Sequence, residues 1–322
     1  MAADSEQGDA FLSPDDAFAV LGNETRMEIL RTLARTESPQ SFSELREQVG
    51  VSDSGQFNYH LDKLDGHFIS KSDEQYSLQP PGQRVIEAVF SGAVTETPVV
   101  DRAEIDVACP YCEAAVEMRF FEERVEIYCT QCAGTFEYSD METGSAGTGF
   151  LGQTPLPPAG IQGRSPHEIV EAAATWGNLE LLAGSSDICP RCSARVENSV
   201  NVCQNHDSTE GLCNQCHRHH RIGIEQVCTN CIYSISGVFS LYLRTNPDMM
   251  SFQMDHGLNP ASPAQLPKFM QLLLDYDETI TSTDPLEARF TFTLDGDALT
   301  LTVDADLNVV EAMRRSSSES VR

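Results

Sequence analysis

Paired cysteines are the clearest candidate functional residues of this sequence. Cys109 and Cys112 form one C-x-x-C pair, and Cys129 and Cys132 form a second pair after a gap of sixteen residues. Each pair offers two thiolate ligands from one tight turn, and two pairs complete the tetrahedral coordination that zinc prefers. The alternative is four reduced cysteines in a hydrophobic core, but the regular spacing favours a zinc site.

A second cysteine-rich block holds four more ligand pairs at the same spacing. Its candidate ligands are Cys189, Cys192, Cys203, His206, Cys213, Cys216, Cys228 and Cys231. Eight ligands predict two further zinc ions, so the whole chain would hold up to three. Sequential pairing would join the first four ligands in one site and the last four in another. Nested or crossed pairing uses the same residues and stays open.

Each predicted site has four protein ligands and keeps no open position for water or substrate. Closed sites of this kind are structural rather than catalytic. Three histidines, His217, His219 and His220, closely follow the Cys213–Cys216 pair, and we expect them to be solvated. A redox role for the pairs is disfavoured, because thioredoxin-type motifs occur singly beside a strand–helix pattern.

The sequence carries no catalytic motif and no targeting signal. We find no Walker loop, no dinucleotide-binding glycine fingerprint, no G-x-S-x-G and no H-E-x-x-H, and we expect the protein not to be an enzyme. The first residues lack the features of a secretory signal, and no segment approaches the ~20 apolar residues of a membrane helix. Eleven cysteines without a signal therefore predict metal ligands in a cytoplasmic protein without membrane contact.

The chain is strongly acidic. It has 49 acidic and 21 basic residues, a formal net charge of −28, and lysine only at positions 63, 71 and 268. Its 40% hydrophobic content argues against disorder, and the composition resembles that of haloarchaeal proteins. Acidity normally opposes nucleic-acid binding. In molar salt, however, the Debye length is about 3 Å, so net charge matters little beyond direct contacts.

One N-terminal helix could carry a DNA-reading surface. Phe57, Leu61 and Leu64 form its apolar stripe, and Ser52 or Asp53 can cap its start. Its outward face would carry Ser54, Gln56, Asn58, Tyr59 and Lys63. We predict that Gln56 and Asn58 contact base edges and that the other three side chains contact phosphates.

The elements around this helix predict a winged helix-turn-helix. Helices are expected at 15–22, 24–35, 41–50 and 83–90. Strands at 68–71 and 75–78 would form the wing, where Lys71 and Gln75 could contact the adjacent groove or the DNA backbone.

Two short runs resemble a known family. Leu21-Gly22-Asn23-Glu24-Thr25-Arg26-Met27-Glu28-Ile29-Leu30, followed by Tyr59-His60-Leu61-Asp62-Lys63-Leu64, is similar to the winged-helix domain of the arsenic-repressor (ArsR-type) transcriptional regulators. The resemblance covers residues 13–92 and implies binding to double-stranded operator DNA, usually as a homodimer. Metal-sensing members carry cysteines in this domain, whereas residues 1–108 contain none, so metal sensing there is not implied.

A second resemblance comes from a different class of protein. A winged helix followed by a zinc ribbon is similar to archaeal transcription factor E, which acts through protein contacts in the initiation complex. That resemblance implies RNA polymerase or other transcription proteins as partners. The second cysteine block and residues 238–312 go beyond its pattern.

The expected fold is a multidomain α+β protein with an N-terminal winged helix-turn-helix, zinc-ribbon modules and a small C-terminal α+β domain. Strands are also expected at 116–120, 124–128, 238–244, 289–294 and 298–303, and a helix at 263–276. The expected segments are a disordered leader (1–12), the winged helix-turn-helix (13–92), a linker (93–103), a zinc ribbon (104–140), a linker (141–164), a helix (165–184), the second cysteine-rich module (185–235), the α+β domain (236–312) and a tail (313–322).

Overall fold

The computed structural model describes residues 12–36, 38–139, 146–147, 149–259 and 265–317. The protein is a mixed α/β structure with two compact units, Met1–Glu96 and Thr97–Arg322. None of the helices in the described ranges is long and apolar enough to cross a bilayer. The expected disordered leader lies outside the described residues, except for Leu12.

The first unit combines helices with an antiparallel sheet of order β1-β3-β2. Its elements are α1 (Pro14–Leu21), α2 (Glu24–Arg35), β1 (Gln40–Ser41), α3 (Phe42–Val49), α4 (Ser54–Leu64), β2 (Ile69–Ser72), β3 (Gln75–Leu78) and α5 (Pro80–Phe90). α5 begins before its predicted start at Gln83, because prolines fit the first turn of a helix.

Side-chain caps and one glycine set the helix boundaries of this unit. Asn23, Ser41 and Asp53 each accept a backbone N–H at the start of α2, α3 and α4. α3 ends at Val49, and the left-handed φ of 78° at the following Gly50 lets the chain turn sharply before α4 begins at Ser54.

A buried cluster holds the first unit together. Phe57, Leu61 and Leu64 of α4 belong to it, together with Ile29 of α2 and Leu45 of α3. The predicted apolar stripe of α4 is therefore confirmed, and it decides which side of the helix faces solvent.

The second unit is built on antiparallel sheets of orders β4-β5-β6-β9, β7-β8, β10-β11-β12 and β13-β14-β15-β16. Its strands are β4 (Val100–Ala108), β5 (Ala115–Phe121), β6 (Arg124–Cys129), β7 (Tyr138–Ser139), β8 (Ala146–Gly147), β9 (Phe150–Pro155), β10 (Val196–Val202), β11 (Ile222–Cys228), β12 (Ser234–Val238), β13 (Tyr276–Thr283), β14 (Leu286–Leu294), β15 (Asp297–Val303) and β16 (Val309–Arg315). Its helices are α6 (Pro166–Gly184), α7 (Ser240–Leu243), α8 (Pro247–Asp255) and α9 (Leu266–Leu274), with a 3-10 turn at Pro158–Ile161.

One hydrophobic core runs through much of the second unit. It includes Phe120 of β5, Ile224 of β11 and Phe290 of β14. We predicted three separate domains here: a zinc ribbon, a second cysteine-rich module and a C-terminal α+β domain. These three segments instead share one core. Sequence periodicity identifies an apolar face but not the distant element that packs against it.

Both predicted linkers contain regular structure. β4 begins at Val100, inside the expected linker 93–103, and pairs with β5. β9 lies inside the expected linker 141–164 and pairs with β6. Residues 140–145 and 148 of this region lie outside the described residues.

Two predictions nearer the C-terminus are also wrong, and a third, the helix that is α9, is confirmed over a shorter span. The expected strand 238–244 is the end of β12 followed by α7, because a continuous apolar run has no period that separates strand from helix. The expected helix 263–276 ends at Leu274, and Tyr276 begins β13; residues 260–264 lie outside the described ranges. The expected tail 313–322 contains the end of β16, which pairs with β15. The predicted α6 and the β14–β15 hairpin are confirmed.

Candidate metal centres and nucleic-acid face

Within the part of the second unit that the structure describes, the candidate metal ligands form three clusters of four. Cluster 1 is Cys109, Cys112, Cys129 and Cys132; cluster 2 is Cys189, Cys192, Cys228 and Cys231; cluster 3 is Cys203, His206, Cys213 and Cys216. Within each cluster the ligand atoms all lie within 4.8 Å of one another, and the cysteines are free thiols. The 3.6 Å between the sulfur atoms of Cys109 and Cys132 is close to the ~3.8 Å edge of a tetrahedron with metal–sulfur bonds of about 2.3 Å.

Backbone contacts shape the second knuckle of cluster 1. The backbone N–H groups of Gln131 and Cys132 each donate to Sγ of Cys129 at 3.3 Å. The Cys129 amide donates to the carbonyl of Gly149 at 2.7 Å, just before β9. Gly149 has a φ of 90°, and a Cβ there would collide with the carbonyl oxygen of Cys129. A glycine is therefore required where β9 meets the knuckle.

The second cysteine block pairs its ligands in nested order, so sequential pairing is wrong. β10 and β11 are antiparallel, with Val196 opposite Cys228 and Val202 opposite Ile222. This register brings the outer knuckles together at one end of the strand pair as cluster 2. The inner knuckles meet at the other end as cluster 3. Ligand spacing is the same in either arrangement, and the strand register decides between them.

Hydrogen bonds lower the pKa of one thiol in each of clusters 2 and 3. The backbone N–H of Ala194, followed by the amide of Asn230, lowers the pKa of Cys192 to about 6. Backbone N–H groups, led by that of Asp207, lower the pKa of Cys213 to about 6. Both residues are therefore mainly thiolate at neutral pH, which is the form that binds metal.

His206 supplies the imidazole group of cluster 3. Its Nδ1 lies 3.4 Å from Sγ of Cys216, and its Nε2 lies 3.1 Å from the carbonyl oxygen of His219. With its proton on Nε2, the ring donates to that carbonyl and keeps the Nδ1 lone pair for a metal ion. This orienting contact could not be recognised from the ligand spacing.

The prediction that the neighbouring histidines are solvated is wrong for His220, although His217 is exposed. The His220 ring is buried. At a distance of 2.7 Å its Nε2 donates to the carbonyl oxygen of Leu274, the last residue of α9. The ring also stacks on Tyr276, with 4.0 Å between the two ring centroids. Burial lowers the pKa of His220 to about 3, so the ring is neutral. His219 packs on Tyr111, which lies in the sequence between Cys109 and Cys112 of cluster 1. These rings connect clusters 1 and 3 with β13.

α4 of the first unit exposes the polar side chains predicted for its outer face. The exposed residues are Ser54, Gln56, Asn58, Tyr59 and Lys63. Asn58 donates to the Asp62 carboxylate at 3.0 Å, and Lys63 Nζ lies 5.7 Å from the centroid of the Tyr59 ring. In the β2–β3 hairpin, Lys71 pairs with Glu74 at 2.8 Å and Gln75 is exposed.

His60 lies on the buried side of α4, where the sequence had not singled it out. Its Nδ1 has no hydrogen-bond partner within the described ranges, and its pKa is lowered by burial and then by Arg26. The Arg26 guanidinium donates to the carbonyl oxygens of Ala19, at 3.0 Å, and of Val20. Arg26 therefore fastens the C-terminal end of α1 to α2.

Two family models match the chain. A domain of unknown function (DUF7351) matches residues 106–309, which include all three clusters. A second domain of unknown function (DUF7347) matches residues 14–89, which include α1 to α4 and all but the last residue of α5. No curated protein matches, and no solved structure matches.

Proposed function

The chain belongs to the DUF7351 family, and we propose that it is a sequence-specific DNA-binding transcriptional regulator with three structural zinc sites. The observation that carries this proposal is the two-sided character of α4. Its apolar side is buried in the core of the first unit, and its other side presents short hydroxyl and amide side chains to solvent. α3 precedes it across a tight turn, and a hairpin follows it.

In this proposal the first unit is a winged helix-turn-helix of the arsenic-repressor type. α4 enters the major groove, where Gln56 and Asn58 contact base edges and Ser54, Tyr59 and Lys63 contact phosphates. Asn58 exchanges its bond to Asp62 for a base, since an amide can bond adenine in a bidentate manner. Lys71 and Gln75 of the hairpin contact the adjacent groove or backbone.

The acidic surface limits how this helix can hold DNA. Lys63 is the only cation of α4. Asp62 and Asp65 lie within two residues of it, and Asp53 caps the start of the helix. Affinity therefore rests on direct contacts from hydroxyls, amides and helix-terminus N–H groups rather than on net charge. A homodimer would double these contacts on a palindromic operator.

The zinc assignment follows from the ligand sets. Four thiolates, or three thiolates and an imidazole, at tetrahedral spacing suit zinc, and each cluster fills all four positions with side chains. The ions would then stabilise the fold of the second unit and would carry out no reaction.

DNA binding by full-length protein tests the proposal. A duplex enriched from a random-sequence library in molar KCl would be titrated with the natural chain and with the Gln56→Ala and Asn58→Ala variants. Each variant should bind about tenfold to a hundredfold more weakly, since a bidentate base contact is worth about 1–3 kcal/mol.

Gln83→Ala is the matched control, because Gln83 is an exposed glutamine on α5 rather than on α4. Its affinity should equal that of the natural chain. Equal binding by all four proteins would exclude the α4 face, and failure to enrich any sequence would exclude the regulator.

A second candidate function is an adaptor that contacts RNA polymerase. The observation in its favour is an apolar strip on α6, where Trp176, Leu179 and Leu182 are 39%, 52% and 37% exposed at helical spacing. Exposed apolar patches of this kind mark protein-binding surfaces. Stoichiometric recovery of polymerase subunits with the tagged chain would favour the adaptor, and recovery of the chain without them would exclude it.

A further inference from the structure

A cavity of about 430 Å³ lies within the second unit, among β6, β9, α6, β12 and α9. This volume falls in the range of small-molecule pockets, roughly 300–1,000 Å³. Its lining is mainly apolar and includes Val125, Val170, Leu181, Leu241, Met270 and Leu273. The cavity is separate from the three cysteine clusters, none of whose ligands lines it.

Arg244, which follows α7, is the one cationic side chain among the described residues that line the cavity. Its guanidinium carbon lies 4.2 Å from the centroid of the Phe269 ring. Over the ranges that the structure describes, the guanidinium has no carboxylate partner and no side-chain hydrogen bond. Burial lowers the pKa of Arg244 to about 9, so it remains charged at neutral pH.

Other partly buried arginines of the second unit have acceptors for their guanidiniums. Arg119 bonds Glu126 at 2.8 Å, Arg221 donates to the carbonyl oxygen of Cys203 at 2.7 Å, and Arg218 donates to that of Asn201 at 3.3 Å. A desolvated charge without a partner is costly, and this fold provides acceptors for these arginines. Arg244 is the exception, and it lies beside a cavity large enough for an anion with an apolar body.

We propose that this cavity binds a small organic monocarboxylate, whose carboxylate pairs with Arg244 and whose apolar body fills the remaining space. An arginine fork matches a carboxylate in a bidentate manner, and the Phe269 ring holds the guanidinium plane. The site suits a ligand with one anionic group. Glu137, the other charged side chain among the described lining residues, would repel a second anionic group. The proposal concerns the second unit alone and does not depend on DNA binding.

Calorimetric titration of the zinc-loaded full chain with decanoate and with 4-phenylbutyrate tests this site. At least one probe should bind at one molecule per chain. The matched alcohols, 1-decanol and 4-phenylbutanol, should bind at least about tenfold more weakly, because they keep the apolar body and lack the charge. This comparison needs no variant.

Two variants locate the binding. Arg244→Gln should weaken carboxylate binding about tenfold or more, whereas Arg289→Gln, an exposed arginine of β14 outside the cavity, should leave it unchanged. Ala174→Phe keeps Arg244 but fills the cavity, and it should abolish binding while circular dichroism remains that of the natural chain. The proposal would be overturned if neither acid bound, if acids and alcohols bound equally, or if folded Arg244→Gln bound the acids as the natural chain does.

Discussion

Single side chains decide how the ligand clusters are organised. His206 presents Nδ1 to cluster 3 because its Nε2 is engaged by the carbonyl of His219. The C-x-x-H spacing was sufficient to predict His206 as a ligand. The environment of His220 could not be predicted, because its packing partner Tyr276 is far away in the sequence.

At this scale we predict that His206→Ala lowers the zinc content from three ions per chain to two after dialysis against a weak chelator that leaves the natural chain fully loaded. The loss of the fourth ligand leaves an open coordination position and a weaker site. His206→Cys should keep three ions because it restores four ligands. Elemental analysis by mass spectrometry measures the content.

His217→Ala is the control for this measurement, since His217 is exposed and belongs to none of the clusters. It should retain three ions. An unchanged zinc content in the dialysed His206→Ala protein would remove His206 from the ligand set.

At the scale of elements, β5 and β6 were predictable, whereas β9 was not. β5 and β6 alternate apolar and polar residues, which is the signal of a half-buried strand. β9 follows Gly149, contains Gly152 and ends at Pro155, a composition typical of a loop. It forms a strand because β6 offers it a pairing edge, and Gly149 is needed where the chain passes the cluster 1 knuckle.

We therefore expect Gly149→Ala to destabilise the zinc-loaded protein much more than Gly163→Ala. Both glycines have a positive φ, but a Cβ at Gly163 meets no atom within 4 Å. Gly163→Ala should cost about 1–2 kcal/mol from backbone strain alone. Gly149→Ala adds a backbone collision and should cost more than about 3 kcal/mol.

Denaturant unfolding followed by circular dichroism measures both variants. Equal losses of unfolding free energy would show that the backbone at Gly149 does not pack closely against Cys129 of cluster 1.

For the whole molecule, local signals predicted the first unit better than the second. Each of the first unit's signals involves residues that are only a few positions apart, as in the caps at Asn23 and Ser41 and the apolar stripe of α4. The core of the second unit instead joins segments as distant as β5 and β14. Neither that shared core nor the cavity beside Arg244 has a signal in any single stretch of sequence.

This division predicts different responses of the two units to metal removal. Three clusters hold the second unit, and Cys109 and Cys129 of cluster 1 are part of its core, so a strong chelator should unfold it. Hydrogen exchange should then lose protection throughout residues 97–317 and keep it in α2 to α5. Retained protection in β5, β6 and β11 of the metal-free chain would contradict the structural role of the ions.

Chromatin occupancy of the full-length chain, compared with a Gln56→Ala/Asn58→Ala double variant, tests the proposed function most directly. We expect the natural chain to occupy discrete sites that share one pseudo-palindromic sequence, and the double variant to lose them. Occupancy that follows RNA polymerase across active promoters, and is unchanged in the double variant, would contradict it.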